Sequence, residues 1–357
     1  MYGGSGAHDI TMQYCQGSQA GTRVFDGEFI TYNEIVPYNI TIDHCTGFDM
    51  ISEGVWVGYG SNFIITNNEF YDGHKDSGSG YSNVDFGGIL ASSGVSNVII
   101  SNNYVHDIYD SGLVGLEWQT GYGNDNNPTN VSITKNLLID NKQHVTYGGN
   151  IWLGGGDSSS IVAYNIIEVT AGNCGTNTSM GVQAAAGTAG SAAGVKVYNN
   201  TFFYACSTGQ PIGANRGAYI DVENNILHNT AGNSMVWLQN NSPASTFKNN
   251  LYYGLNGTYF FGRWGSNSGT TLSTWKAASG EKNAQIANPL FINGSGSYSL
   301  ATDFKLQSGS PAIHAGTNVG LTTDYAGNPV PSVPDIGAYQ FVAPISPPKL
   351  LRVGKPE

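Results

Sequence analysis

The sequence predicts an all-β fold: a single-stranded right-handed parallel β-helix with three strands per coil and a C-terminal capping region. Three observations predict it. One short motif returns along the chain. Ser96-Asn97-Val98-Ile99-Ile100-Ser101-Asn102-Asn103 has counterparts ending at Asn68, Asn136, Asn165, Asn200, Asn225 and Asn250. The steps between these closing asparagines, in chain order from Asn68, are 35, 33, 29, 35, 25 and 25 residues. That is too irregular for a helical array, whereas a β-helix stacks constant strands and lets its loops vary. Finally, 49 glycines, 11% charged residues and almost no helical periodicity mark a turn-rich β chain.

Each element follows from that frame. In the motif, Val98 and Ile100 alternate with Ile99 and Ser101, so one pair faces inward and is buried by the next coil. Asparagine suits the corner because it tolerates left-handed backbone and can bond to the asparagine stacked above it. Asn68, Asn103, Asn136, Asn200, Asn225 and Asn250 are therefore expected in one ladder, with Cys15 and Cys45 continuing it. A second strand precedes the motif, as in Gly54-Val55-Trp56-Val57, and a third follows it, as in Tyr104-Val105-His106. Residues 1–254 read as coils, 255–343 as the terminal coil and capping region of the same domain, and 344–357 as a proline-rich linker or tail. Cys15 and Cys45, about 4.8 Å apart in adjacent coils, fit either a disulfide or stacked free thiols. Cys174 and Cys206, in loops after successive third strands, are the better disulfide candidates, and no cysteine spacing suggests zinc.

A net charge of −11 with four arginines argues against nucleic acid and polyanionic ligands and points to a neutral partner. No apolar run reaches membrane-spanning length, and the first residues lack a basic, apolar leader. The abrupt start and proline-rich end are those expected of a monomeric module. It would be secreted or held at the cell surface and tethered to a catalytic domain in a larger protein.

Two outward columns carry the functional candidates. Val55 and Val57, Ile151 and Leu153, and Val236 and Leu238 face inward, so Trp56, Trp152 and Trp237 between them face outward. They are three coils apart, about 14 Å, which matches roughly three β-linked sugar residues. Tryptophan rows suit the apolar faces of sugars. Trp118, Tyr122 and Gln239 are placed beside them as further contacts. The plainer alternative is that these rings pack under loops. Asp72, Asp107 and Asp140 each lie four residues past a closing asparagine and should stack about 5 Å apart, the outer pair about 10 Å. Such separations bracket those of glycosidase carboxylate pairs, with Glu117 nearby. Stacked aspartates equally cap turns or hold calcium.

The segments Phe304–Gly316, Asp324–Pro329 and Pro334–Gln340 resemble the closing region of secreted bacterial β-helix proteins of the pectate-lyase-like superfamily. The resemblance implies the fold and a segment that blunts the last coil. It implies no single activity, because that superfamily includes lyases, hydrolases, epimerases and phage fibres. Its lyases use calcium or arginine with a Lys or Arg base. Here only Arg23 and Arg216 lie in the coils and only Lys142 lies near the Asp column. The chain also looks like the β-helical binding modules of xylan-degrading enzymes of gut bacteria. That likeness implies a non-catalytic module for a neutral plant cell-wall polysaccharide, xylan first, because a threefold-screw chain matches the three-coil interval. No cofactor is implied, calcium excepted. The alternative is a glycoside hydrolase using Asp72, Asp107, Asp140 and Glu117.

Overall fold

The structure is a computed structural model and describes residues 7–18, 25–27, 36–50, 53–73, 87–108, 114–118, 126–140, 149–171, 180–187, 189–206, 209–231, 234–239, 244–254, 260–264, 267–269, 271–293, 298 and 300–343. Among these, strands follow one another in a three-fold rotation as far as Phe261–Trp264 and build three long sheets. Sheet A has nine strands, from His8–Gln13 to Thr246–Lys248, stacked in chain order. Sheet B has ten, from Gln16–Ser18 to Gln285–Ile286, and sheet C ten, from Phe25–Gly27 to Asn267–Gly269. Neighbours are parallel except at the end of sheet C, where Phe261–Trp264 meets Asn267–Gly269 antiparallel. The molecule is a three-sided right-handed parallel β-helix, the hand that parallel crossovers take.

Alternation sets the core as expected. Val98 and Ile100 of sheet A, Val105 of sheet B, and Val114 and Leu116 of sheet C are buried, while Ile99 between the first two is 43% exposed. Truncating an inward residue such as Ile100 to alanine would cost about 2–5 kcal/mol, because neighbouring coils cannot close the gap.

The corner between sheets A and B holds the predicted ladder. Asn68 donates from its backbone N and from Nδ2 to Asn103 Oδ1, both at 3.0 Å, and Asn103 does the same to Asn136. The pattern passes through Asn165, Asn200 and Asn225 to Asn250. At the other end, Cys45 N donates to Asn68 Oδ1 at 2.8 Å, so the cysteine occupies the next rung. The paired asparagines divide the work. The first of each pair takes the left-handed backbone, as at Asn67, Asn102 and Asn199, and the second builds the ladder. Cys15 and Cys45 are free thiols, the second of the two alternatives. Cys206 is disulfide-bonded; Cys174, its expected partner, lies outside the described residues.

A further ladder was not foreseen. On the entry side of sheet A, Asn130 donates to Asn97 at 2.7 Å, Asn97 to Asn62 at 3.1 Å, Asn62 to Asn39 at 2.9 Å, and Asn39 to Asp9 at 2.8 Å. All five residues have φ between 50° and 60°.

Within the C-terminal region, the capping and the closing segment are separate pieces. The last coil is closed by the helix α1 (Leu272–Ser279), which is capped by the Thr271 side chain and stopped by Gly280 at φ 71°. It drives Trp275 into the open end of the core, edge-on to Phe247 at 4.8 Å. Glu281 ends the asparagine ladder by accepting from Asn250 Nδ2 and Tyr252 OH, both at 2.8 Å, and from Trp275 Nε1. The rest of the region, from about Ala287 to Phe341, does not blunt the last coil. It runs back along the helix as a strap over sheet B and the A/B corner. Phe291, Tyr298, Phe304 and Ile336 pack on Ile166, Phe203, Ile226 and Leu251. Asn199 Nδ2 donates to Asp335 O, Asn224 Nδ2 to Thr317 O, and Lys135 Nζ to Thr323 Oγ1, at 3.0, 2.8 and 2.8 Å. Inside the strap, buried Asp324 accepts from Asn328 N and Gln340 N. The acidic residues of the closing segment are thus staples. No helix among the described residues is long and apolar enough to cross a membrane.

Candidate functional site

The outer face of sheet C brings the tryptophans into the predicted register. Trp56 pairs with Leu90, Leu90 with Gly115, and Gly115 with Trp152. Trp152 then pairs with Gln183, Gln183 with Gly213, and Gly213 with Trp237. Both intervals are three coils. The exposures differ, and here the sequence reading needs correction. Trp56 faces outward yet is only 4% exposed. Tyr59, turned back by a φ of 57°, lies 6.1 Å from it ring to ring. Leu90 and part of Trp152 complete an apolar cluster. Gly58 makes the packing feasible, because a Cβ there would strike the indole. Trp56 therefore offers no face to a ligand.

Trp152 and Trp237 are half-buried. Between them lie buried Gln183 and Gly213, and the Met180 sulfur covers Gly213 where a Cβ would stand. The result is two indoles about 14 Å apart with a low floor between them. Trp118 is half-buried at one margin and lies against the turn at Gly187 and Gly190; its backbone O accepts from Ala189 N at 3.1 Å. Gln239, also half-buried, directly follows the strand of Trp237 and accepts from Arg216 N at 3.4 Å. Tyr122 lies outside the described residues. The floor carries no charged side chain, and Arg216 at the margin is exposed.

No family model matches the chain. The tail spike protein of Salmonella phage epsilon15 is 28% identical over 123 residues, 34% of this chain and 10% of that protein, so the match spans a small part of that relative. A solved structure described as the complex structure of XylC with xylose aligns with a TM-score of 0.40 and 12% identity, covering 85% of this chain and 50% of that chain. Neither likeness fixes a family or a function, so the site must be read from its own chemistry.

The carboxylates separate into two places. Asp72, Asp107 and Asp140 follow consecutive strands of sheet B, all with φ between 50° and 52°. This is the stack the sequence predicted, and it occupies a turn position that demands left-handed backbone. His106 Nδ1 lies 2.8 Å from Asp107, and Asp140 Oδ1 accepts from Thr170 N at 2.9 Å. Glu117 is buried and ends the strand Val114–Glu117 of sheet C, whereas the three aspartates follow strands of sheet B. Among the described residues, no three acids, histidines or cysteines converge in a manner suited to a metal ion.

Two titratable groups that the sequence reading passed over are buried beneath the strap. Glu168 follows Ile139 in the outward column of sheet B and is fully buried, with no hydrogen bond to either oxygen. Burial, then the Asp140 and Asp303 charges, push its pKa up to about 8. His228, two coils on, is 7% exposed and pushed down to about 4 by burial. The same strand alignment that located the tryptophans contains both residues; nothing in the repeat shows that the strap covers them.

Proposed function

We propose that this chain is a non-catalytic carbohydrate-binding β-helix that takes a neutral polysaccharide along sheet C, across Trp152 and Trp237. The observation that carries the reading is the pair of half-buried indoles, in register three coils apart, with an uncharged floor of Gln183, Met180 and Gly213 between them. Indole faces stack on the C–H faces of sugar rings, and Gln239 at the margin offers its amide nitrogen to hydroxyls. A threefold-screw chain such as xylan repeats at about the three-coil interval, which makes xylan the first candidate. The acidic net charge also favours a neutral chain over a uronate. We place the module outside the cell, attached to a catalytic partner.

Affinity electrophoresis against xylan and a panel of neutral glucans and mannans tests the reading, with reducing ends measured in the same incubations. Trp152→Ala and Trp237→Ala should each weaken retention about tenfold, the equivalent of about 1–1.5 kcal/mol of stacking. Added salt should change little, because the contact is uncharged. Unaltered retention in the double variant would move binding to another face. Released reducing ends would replace the proposal with the hydrolase reading.

A further inference from the structure

Beneath the strap on sheet B is a pocket of about 320 Å³. Its inner wall is the outward column Phe203, His228 and Tyr253, which the sheet register places in successive coils. Phe291 and Tyr298 of the strap stand opposite. Tyr298 meets Phe203 edge-on at 4.5 Å, and Phe291 lies 6.1 Å from His228, ring to ring. Asn288 and Gln307, both exposed, line the side that meets solvent. None of the lining residues is Asp, Glu, Lys or Arg. His228 adds no charge near neutral pH, since burial holds it in the neutral form.

We propose that this pocket binds one ring of a neutral sugar, at a site separate from the tryptophan face. The volume is at the small end of ligand sites, enough for one or two rings. Aromatic walls on both sides provide for a ligand with apolar faces. The polar groups provide for hydroxyls at its edge. Gln307 spends its amide nitrogen on Phe291 O at 2.7 Å, which fixes the side chain, and its oxygen accepts no bond among the described residues. His228 Nδ1 has no partner either, although it is buried. A neutral imidazole donates from one ring nitrogen and accepts at the other, so His228 Nδ1 is one or the other according to the tautomer, and with Gln307 Oε1 it gives the pocket two unpartnered polar positions. Charged ligands would meet no counter-ion there and would lose their hydration.

Titration calorimetry with methyl β-xyloside, methyl β-glucoside and methyl β-galactoside, alongside phenol and glucuronate, tests the proposal. At least one neutral glycoside should saturate the protein with Kd of about 1–10 mM, as expected for a ligand of this size. Ala205 also lines the pocket, and Ala205→Phe, which places a ring there, should weaken that binding at least tenfold, and Gln307→Ala at the exposed side about threefold. Both variants should keep wild-type retention on polysaccharide through Trp152 and Trp237, so the two sites fail or hold independently. Gln307→Ala is the arm that survives if Ala205→Phe does not fold. The proposal is overturned if no neutral glycoside saturates by about 100 mM. Tighter binding of phenol or glucuronate than of every glycoside would overturn it too, as would glycoside binding unchanged in both folded variants.

Discussion

Sheets B and C start from the same rule and end in opposite states. Each has an outward row of aromatic and polar side chains fixed by strand alternation. On sheet C the row holds Trp152 and Trp237, which stay half-buried. On sheet B the row at the same height holds Glu168, Phe203 and His228, and the strap buries all three. Alternation therefore decides which way a side chain points, and a segment outside the repeat decides whether it meets solvent. Trp56 shows the same on a smaller scale, since its own turn covers it through Tyr59.

The sharpest way to break this contrast is to remove one ring from each face. Phe304, 1% exposed, holds the strap to sheet B through Phe203 and Tyr298. Phe304→Ala should cost about 3–5 kcal/mol in urea unfolding and leave retention on polysaccharide intact. Trp237→Ala should cost about 1 kcal/mol or less and reduce retention. Equal destabilisation by the two would make the sheet C tryptophans as structural as the strap.

What the sequence disclosed divides along the same line. The asparagine ladder, the inward valines and isoleucines and the three-coil Trp interval were all legible, because each depends on a local repeat and on one coil stacking on the next. Trp56 was misread because its cover, Tyr59 and Leu90, depends on a left-handed residue and an open glycine that the alternation rule does not weigh. The route of the strap was illegible for a different reason. Its anchors join residues as much as 188 positions apart, as from Asn224 to Thr317 and from Lys135 to Thr323, and these contacts have no period. Thus Asp324 and Asp335, visible in the closing segment, gave no sign that they staple a strap.

A second contrast should be visible in pH. Glu168 is protonated in the fold up to about pH 8, whereas the unfolded chain releases that proton above its ordinary value of 4.5. Its stabilisation is complete below pH 4.5 and is lost as pH rises toward 8. His228 acts in the other direction, since the fold refuses a proton that the unfolded chain takes up below 6.5, and stability falls as pH drops toward 4. Between pH 6.5 and 8 only Glu168 of this pair acts, and it should cost about 2 kcal/mol across that interval. Glu168→Gln should flatten the slope in thermal unfolding. An unchanged slope would show that the strap does not hold this carboxyl in its protonated form. Retention on polysaccharide should not follow this pH dependence, because no such group lies on the sheet C floor.

The smallest expected effect concerns Asp107, at the border between the two faces, and it separates a binding module from an enzyme. Its φ of 52° belongs to a conformation that asparagine adopts as readily as aspartate and that alanine adopts only with strain. Its pairing with His106 is partly exposed and therefore weak. Asp107→Asn should change stability by less than about 0.5 kcal/mol and leave polysaccharide retention unchanged, whereas Asp107→Ala should cost about 1 kcal/mol through the backbone alone. Calcium or a chelator should leave the melting temperature of all three proteins in place. If the column were instead a catalytic pair, the isosteric Asn variant would be the damaging one, because chemistry needs the charge and the turn does not. The order of the Asn and Ala effects therefore carries the answer even though neither is large. A turn position predicts that alanine is the worse substitution, and a general acid or base predicts that asparagine is at least as bad in any assay of turnover.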